Sequence, residues 1–384
     1  MITARFKKAL LELLEKAETP FYAYDLTAIE QRARALKEAF PKARLFYALK
    51  ANPRLAILRR LKELGFGVEA VSLGEVLRAY RAGFLPDEVV LNGPVKTPGA
   101  LLRLKEAGAP YLVADSAADL DRIARHLPGA FVLVRVNPDL PVDTHPHLAT
   151  GKGESQFGVL PEEVPALYQR AGELGLRPLG LHLHLGSAIS SPEEFAAGYR
   201  VLKELLGELG EVRVVDLGGG FGLDLDPARL APEVEEFAKR AEVWLEPGRY
   251  LVAPAGVLVA RTWGEKKTRR RYLLLDAGMT HFLRPALYGA RPPVLPLYQG
   301  GEEEVYDLAG PACESTDVIA RDVRLPRPKE GDALALLEAG AYGAAMASNY
   351  LDTPRPAEYL WDGERWHLIR ERDAYPELFS RERF

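Results

Sequence analysis

Residues 45–70 read LFYALKANPRLAILRRLKELGFGVEA and contain the repeating unit of the predicted fold. The apolar runs Leu45–Leu49 and Val68–Ala70 predict two short β-strands. Between them, Arg54–Leu64 places apolar residues at the three- and four-residue spacing of a helix that packs on a core. A strand, a helix and a second strand in this order predict two parallel strands joined by a crossover helix.

The same unit recurs along the chain as far as residue 246. Strand-like runs are predicted at Leu45–Leu49, Val68–Ala70, Val89–Leu91, Tyr111–Ala114, Val132–Val136, Leu179–His184, Val212–Leu217 and Val243–Leu245. Helices are predicted at Arg54–Leu64, Gly74–Ala82, Thr97–Ala107, Ser116–His126, Pro161–Ala171, Pro192–Leu206 and Pro232–Glu242. Eight strands joined by seven crossovers favour the α/β class and a closed parallel (β/α)8 barrel, with a doubly wound open sheet as the alternative.

After about residue 255 the pattern changes to strands without helices between them. Strand-like runs are predicted at Gly256–Ala260, Tyr272–Leu275, Val305–Ala309, Val318–Val323, Leu334–Leu337 and Tyr359–Ile369. The last run is interrupted by Asp362-Gly363, a hairpin signal. The sequence therefore predicts a barrel domain over residues 25–254 and an antiparallel β domain from residues 1–24 and 255–384.

Composition indicates a globular protein, with 384 residues, 47% hydrophobic and 27% charged, and a net charge of −4. No apolar run approaches the ~20 residues of a membrane span, and the N-terminus lacks a signal-peptide core, so we expect a cytoplasmic protein without a membrane partner. The basic run Lys266–Arg271 is interpreted as a solvated loop, because the overall charge is acidic and no nucleic-acid motif accompanies it. A single cysteine, Cys313, excludes an internal disulfide and a cysteine-cluster metal site.

The carboxyl ends of the predicted barrel strands carry reactive side chains, and in such barrels the active site forms at that end. Lys50 is a candidate Schiff-base lysine, the alternative being an ordinary lysine that reaches solvent. A stable barrel rim needs none of these residue types, whereas an anionic, ring-bearing cofactor could use most of them. The full set is Lys50, Glu69, Asn92, Asp115, Arg135, His184, Gly218-Gly219-Gly220 and Glu246.

Two of these strand ends suggest how such a cofactor is held. Gly218-Gly219-Gly220 follows a strand directly, so backbone N–H groups can approach a phosphate; a flexible connector is the alternative, and the spacing does not match a dinucleotide fingerprint. His182 and His184 lie on one face of their strand. They could bind zinc, pack in the core, or place one ring flat on a cofactor while Ser187 binds its phosphate. The remaining histidines do not fall at strand ends, which favours stacking and no metal site.

Glu246-Pro247-Gly248-Arg249 closes the eighth predicted strand. A glutamate and an arginine three residues apart are commonly a surface pair of little energetic consequence. Beside a pyridine ring, the carboxylate would keep the ring nitrogen protonated, and the protonated ring would accept electrons from a substrate.

The motif series resembles that of the alanine-racemase-fold, group IV pyridoxal-phosphate-dependent decarboxylases over nearly all of the chain. The motifs that carry the resemblance are Tyr47–Asn52, His184–Ser187, Gly218–Gly220, Glu246–Arg249, Gly310–Asp317 and Gly340–Gly343. The resemblance implies that Lys50 holds pyridoxal 5'-phosphate, that His184 stacks on its ring and that Glu246 pairs with the ring nitrogen. It further implies contacts to the cofactor from Ser187, Gly218, Gly219, Gly220, Pro247, Gly248, Arg249 and Tyr342.

The segments around Arg284 and Glu314 are most similar to the branch of the family that converts meso-2,6-diaminopimelate to L-lysine and CO2. That similarity implies that Arg249, Arg284 and Tyr288 bind the distal carboxylate of the substrate and that Glu314 binds its distal ammonium. Tyr342 would add a further substrate contact. Enzymes acting on ornithine or carboxynorspermidine, and non-catalytic pyridoxal-phosphate-binding proteins, remain the alternatives.

The resemblance also implies a homodimer with shared active sites. Cys313 would reach the site of the neighbouring subunit and return a proton to the carbon that loses CO2. Two residues depart from the family pattern: Glu69 replaces the usual Asp, and Gln156 replaces the usual Lys. Neither departure removes a catalytic group.

Overall fold

The structure is a computed structural model that describes residues 2–140 and 155–383. Two compact units make up the chain: Arg32–Tyr250, and the segments Met1–Gln31 and Leu251–Phe384 together. The N-terminal segment forms helix α1 (Ala4–Leu14) and strand β1 (Phe21–Asp25), and helix α2 (Leu26–Ala39) follows.

The first unit is a closed parallel barrel, as predicted, rather than an open sheet. Its strands are β2 (Ala43–Ala48), β3 (Gly67–Ala70), β4 (Val89–Leu91), β5 (Tyr111–Ala114), β6 (Phe131–Val136), β7 (Arg177–Leu183), β8 (Val214–Asp216) and β9 (Glu242–Leu245). Strand β9 pairs back onto β2, where Leu245 lies opposite Leu45 and closes the barrel.

The helices of the barrel follow the predicted order. They are α3 (Leu55–Glu63), α4 (Leu73–Ala82), α5 (Pro98–Ala107), α6 (Ala117–His126), α7 (Val164–Glu173), α8 (Pro192–Glu208), α9 (Pro227–Ala238) and the short α10 (Arg249–Val252). Several of these helices have a side-chain N-cap. At the start of α5, for example, Thr97 Oγ1 accepts a hydrogen bond from the N–H of Ala100 at 3.3 Å.

The predicted start of helix α9 at Pro232 is wrong. The helix begins at Pro227, because Asp226 Oδ1 accepts the N–H of Ala228 at 3.1 Å and forms the cap. Pro232 lies inside the helix, where it removes one backbone hydrogen bond but does not end the helix.

An apolar layer fills the barrel near its middle. It consists of Phe46, Val90, Val113, Leu133, Leu179, Val214 and Trp244, all buried. The Phe46 and Trp244 rings lie 4.8 Å apart between centroids and join the two strands that close the barrel. This layer separates the two ends of the barrel and forms the floor beneath the polar residues at the carboxyl end.

The second unit is a nine-stranded sheet. Besides β1 and α1 it contains β10 (Gly256–Lys267), β11 (Arg271–Leu275), α11 (Arg284–Tyr288), β12 (Val294–Pro296), β13 (Glu303–Ala309), β14 (Val318–Pro326), β15 (Ala333–Leu336), β16 (Ala357–Trp361), β17 (Trp366–Arg370) and α12 (Tyr375–Leu378). Most neighbouring strands are antiparallel, as predicted, but β1 with β16 and β11 with β13 are parallel. The hairpin between β16 and β17 turns at the predicted site, where Asp362 Oδ1 accepts the N–H groups of Glu364 and Arg365, each at 2.8 Å.

Among the helices of residues 2–140 and 155–383, none is both long and apolar enough to cross a membrane.

Candidate active site

A layer of buried polar side chains lies directly above the apolar layer of the barrel. Side chains alternate along a strand, so a residue two positions beyond a member of the apolar layer points the same way, as is the case for Asn92, Asp115, Arg135, Asp216 and Glu246. The polar residues are Glu69, Asn92, Asp115, Arg135, His182, Asp216 and Glu246, and none is more than 6% exposed. Burying so many polar groups costs free energy unless they are paired, which indicates that the layer is retained for a function.

Lys50 lies just after the carboxyl end of β2, in a single 3₁₀ turn over Leu49–Ala51. The Tyr47 hydroxyl fastens this turn by donating to the carbonyl oxygen of Asn52 at 3.0 Å. The Lys50 ammonium lies 3.1 Å from Glu69 Oε2, and its side chain is about one third exposed. It borders a cavity of about 400 Å³ that is also lined by Val71, Asn92, Gly93, Pro94, Arg135, Phe157 and His184. A ligand in this cavity would therefore lie within reach of the amine.

Glu69 is fully buried beside Lys50. Burial raises the pKa of Glu69 to about 7, although the Lys50 charge acts in the opposite direction. The longer glutamate, at a position where an aspartate is usual, thus places a carboxyl group that titrates near neutral pH against the candidate anchor lysine.

This titration predicts that Glu69 contributes to the pH dependence of stability and that Glu69→Gln should remove this contribution. The folded-state pKa of about 7 lies above the ordinary 4.5, so the folded protein binds the additional proton between these values and loses stability as pH rises through this window. We expect the cofactor-free wild type to lose on the order of 3 kcal/mol in free energy of unfolding from this group between about pH 5 and 8. Urea unfolding at both pH values measures it. The exposed Glu204→Gln variant is the control, and an unchanged pH slope in Glu69→Gln would refute the assignment.

His184 lies in the half-buried mouth of the site, and its ring is held in one orientation. Its Nδ1 accepts the N–H of Gly219 at 3.3 Å. Burial, and next the positive charge of Lys50, lower the pKa of His184 well below its ordinary value, so the ring is neutral. A neutral ring fixed in this way can lie against a flat aromatic ligand. Its neighbour His182 is fully buried, with Nε2 3.0 Å from Asn92 Nδ2 and 3.3 Å from Glu246 Oε2.

The three glycines after β8 allow the backbone to approach closely. Gly218 and Gly220 have φ angles of 68° and 93°, in the left-handed region that favours glycine. A Cβ atom at Gly219 would lie 2.1 Å from the carbonyl oxygen of Glu246, so no larger residue fits there. Nearby, Arg249 donates from Nη2 to the Ser187 hydroxyl at 3.1 Å. A glycine-rich turn, a hydroxyl and a guanidinium are a donor set suited to a phosphate group.

We expect Gly219→Ala to weaken binding of pyridoxal phosphate, the cofactor that the family resemblance implies, at least about tenfold, since the added methyl group must displace the backbone around the glycine turn. The dissociation constant can be measured from the absorbance of the cofactor on titration. Gly207→Ala is the matched control, because a Cβ at that helical position contacts nothing within 4 Å. Equal affinities for the two variants would exclude the glycine turn from the phosphate site.

Glu246 supplies a buried negative charge with an unused acceptor. Burial by itself would raise the pKa of Glu246, but His182 and Lys50 outweigh it and lower the value to about 2. Its Oε1 atom is buried without a hydrogen-bond partner among the described residues. A carboxylate in this state fits a protonated nitrogen on the ring of a bound ligand, because that N–H would satisfy the oxygen.

The other predicted site residues lie in the second unit. Arg284 opens α11, where its Nη1 donates to the carbonyl oxygen of Glu338 at 3.3 Å, and Tyr288 at the end of that helix is 64% exposed. Tyr342 has a φ of 55°, an uncommon left-handed conformation that sets the direction of its side chain. The exposed position of Tyr288 leaves its hydroxyl accessible to a ligand.

Cys313 and Glu314 lie in the exposed connection between β13 and β14. The Glu314 carboxylate accepts a hydrogen bond from the Tyr350 hydroxyl. Asp317 orders this connection, since its two carboxylate oxygens accept the N–H groups of Met279 at 2.6 Å and Ala312 at 2.7 Å. The sequence had not singled out Asp317 as a positioning residue.

Two further residues at the barrel site were also missed from the sequence. Phe157 lies with its ring centroid 4.6 Å from the Arg135 guanidinium and borders the cavity. Asp216 was predicted only as part of the strand Val212–Leu217, yet it belongs to the buried polar layer. Its position two residues after the apolar Val214 was the available signal. Gln156, the other departure from the family pattern, is exposed.

Comparison with known proteins agrees with the family resemblance of the motifs. A family model for the pyridoxal-binding domain of pyridoxal-dependent decarboxylases matches residues 26–253. Diaminopimelate decarboxylase of Deinococcus radiodurans is 46% identical over 98% of this chain and 99% of that protein. The same enzyme of Archaeoglobus fulgidus is 37% identical over 97% of this chain and 94% of that protein.

Solved structures agree with the sequence comparisons. Diaminopimelate decarboxylase from Helicobacter pylori, complexed with L-lysine, has a TM-score of 0.89 at 33% identity and covers 96% of this chain and 98% of that chain. Lysine/ornithine decarboxylase from Vibrio vulnificus, complexed with putrescine, has a TM-score of 0.84 at 25% identity and covers 94% of this chain and 100% of that chain. The similarity thus extends over both units.

Proposed function

Because the chain belongs to the diaminopimelate decarboxylases, within the pyridoxal-dependent decarboxylase family, we propose that its barrel site converts meso-2,6-diaminopimelate to L-lysine and CO2. This reaction is the last step of lysine biosynthesis. The observation that carries the proposal is the 46% identity to a diaminopimelate decarboxylase over 98% of the chain. The cofactor is pyridoxal 5'-phosphate, and the domain that binds it matches the barrel.

The chemistry of the barrel site supports the placement of this cofactor. Lys50 would be its covalent anchor, His184 would lie against the ring, and Glu246 would accept the ring N–H through its unpartnered Oε1. Bound pyridoxal phosphate supplies an aldehyde that captures amines and a protonated ring that accepts an electron pair. The phosphate contacts would come from Ser187, Gly218, Gly219, Gly220, Arg249 and Tyr342, with Pro247 and Gly248 shaping the turn.

The residues of the chain divide the remaining work. Glu246 would be ionised and would favour a protonated ring nitrogen, while the Lys50 amine would exchange a proton with Glu69, whose Oε2 lies 3.1 Å away. Arg249, Arg284 and Tyr288 would bind the distal carboxylate, for which a planar guanidinium is suited. Glu314 would bind the distal ammonium, Tyr342 would contact the substrate, and Cys313 would deliver a proton to the carbon that loses CO2.

A cytoplasmic homodimer completes the proposal. Residues 25–254 would bind the cofactor, and residues 1–24 with 255–384 would complete the active site and the dimer interface. The exposed position of Cys313 and Glu314 supports their reaching a neighbouring subunit. A single free thiol in the whole chain is typical of a protein from a reducing compartment.

The experiment that tests the function compares kcat/KM for CO2 release from meso-diaminopimelate, ornithine, arginine and carboxynorspermidine. The similarity to a lysine/ornithine decarboxylase makes ornithine the principal alternative. We expect diaminopimelate to be preferred by at least about 10²-fold, because the other substrates lack the distal carboxylate for which Arg249, Arg284 and Tyr288 would provide donors. Higher kcat/KM for any other substrate would overturn the assignment.

Arg284→Ala tests the distal contact separately. Losing a charge-assisted bidentate contact should raise KM for diaminopimelate at least about tenfold and leave KM for ornithine nearly unchanged. The exposed Arg291→Ala variant is the matched control, and equal effects of the two variants would remove Arg284 from the substrate site.

A further inference from the structure

The buried polar layer contains more acidic than basic groups. Glu69, Asp115, Asp216 and Glu246 are its carboxylates, and two of them have a cation as immediate partner. Glu69 lies 3.1 Å from Lys50, and Asp115 lies 3.5 Å from Arg135. Asp216 and Glu246 instead lie together with His182, and among the described residues neither carboxylate forms an ion pair with a lysine or an arginine.

Strand register brings the pair together. His182 on β7 is opposite Asp216 on β8, and Asp216 is opposite Trp244 on β9. Glu246 lies two residues after Trp244, at the carboxyl end of β9. Its side chain can therefore approach Asp216 on the neighbouring strand. One polar side-chain atom from each of His182, Asp216 and Glu246 lies within 4.8 Å of the other two.

The hydrogen bonds of Asp216 leave one oxygen unaccounted for. Oδ1 accepts the N–H of Gly218 at 2.8 Å, while Oδ2 is buried without a partner among the described residues. Glu246 shows the same asymmetry, since Oε2 lies near His182 and Oε1 has no partner among those residues. Unpaired buried carboxylate oxygens are costly, and a proton on one of them lowers that cost.

Two carboxylates this close in a buried site do not both ionise, and the surroundings decide which one carries the proton. His182 and Lys50 keep the pKa of Glu246 at about 2. Burial, and next the charge of Glu246, raise the pKa of Asp216 well above its ordinary value. The other charged groups around the pair are Glu69 and Arg135, and burial lowers the pKa of His182 while the Glu246 charge acts in the opposite direction.

We propose that Asp216 is a positioning residue that carries a proton on Oδ2 and directs it at Glu246, which fixes the orientation of the Glu246 carboxylate. Oδ1 is already committed to Gly218, so Oδ2 is the oxygen that holds the proton. Asp216 thereby links the glycine turn to the carboxylate through one side chain. The inference rests on the proposed function in one respect, namely that Glu246 faces the ring nitrogen of the cofactor.

The test compares Asp216→Asn with Asp216→Ala. Asparagine has the same shape, keeps an oxygen acceptor for Gly218 and presents a permanent donor to Glu246, so it imitates the protonated acid. We expect its dissociation constant for pyridoxal phosphate at pH 7 to stay within about threefold of wild type. Alanine lacks both groups and should weaken binding at least about tenfold. Equal weakening in both variants, or no weakening in either, would overturn the proposal.

A direct measurement on the wild type avoids any effect of the variants on folding. Infrared spectra should be recorded above the pKa of Glu69, which is about 7, so that Glu69 is ionised and does not contribute the band of a protonated carboxyl group. Under these conditions the wild type should still show the carbonyl stretch of a protonated carboxyl group, and Asp216→Asn should remove it. Absence of that band in the wild type would refute the proton on Asp216. The infrared band does not depend on catalysis, so its absence bears only on the proton on Asp216. A wild type that fails to bind pyridoxal phosphate or to release CO2 would instead refute the proposed function.

Discussion

Replacing Lys50 with alanine is expected to reduce CO2 release from meso-diaminopimelate by at least about 10³-fold, as is usual when a covalent catalytic group is removed. Among the described residues that line the cavity, Lys50 carries the only primary amine. A buried lysine nearby, Lys96, cannot replace it. Lys96 uses its three N–H groups on the carbonyl oxygens of Gly93 and Val113 and on Asp119, each at 2.7 Å.

Covalent trapping makes the Lys50 prediction specific. Borohydride reduction of the wild type should attach the cofactor to Lys50 alone, as peptide mapping would show, and Lys50→Ala should retain no reduced cofactor. The exposed Lys42→Ala variant serves as the control and should behave as wild type. Attachment to any other lysine, or full activity of Lys50→Ala, would refute the anchor assignment.

The second large effect is expected for Glu246→Gln, which should lower kcat by about 10²-fold or more. Glutamine preserves size but carries no charge, so the ring nitrogen loses the carboxylate that keeps it protonated. Because the pKa of Glu246 is about 2, the carboxylate is ionised throughout the range from about pH 5 to 9. The ratio of wild-type to variant kcat should therefore stay constant over that range.

A second glutamate on the same strand provides the control for Glu246. Glu242 lies at the opposite, exposed end of β9, and its carboxylate accepts a hydrogen bond from Trp244 Nε1 at 2.9 Å. Glu242→Gln should therefore leave kcat near the wild-type value. A kcat for Glu246→Gln within threefold of wild type would show that the ring nitrogen does not depend on this carboxylate.

The barrel could be predicted from the sequence because its signals are local. Val89–Leu91 and Tyr111–Ala114 have the predicted bounds, and each barrel strand is separated from the next by a crossover that contains a helix. Strand β1 escaped prediction. All five of its residues are buried, so it shows no alternation, and its partners β10 and β16 lie more than 200 residues away in the chain.

The candidate site was predictable residue by residue but not as an arrangement. Lys50, His184 and Glu246 each follow a strand, which is visible in the sequence. The proximity of Asp216 to His182 and Glu246 depends on the register of three strands and on the bulge between β6 and β7, which no local pattern encodes. For Arg284, Tyr288 and Glu314, only the family resemblance carries the prediction, because they lie outside the barrel.

Decarboxylation itself is tested most directly by incubating the protein and pyridoxal phosphate with meso-diaminopimelate in D₂O, and by following the products by NMR and mass spectrometry. We expect one CO2 and one L-lysine for each substrate molecule consumed, with a single deuterium on the carbon that lost its carboxylate. Exchange of deuterium into diaminopimelate without release of CO2 would contradict the assignment and indicate a racemase or epimerase instead.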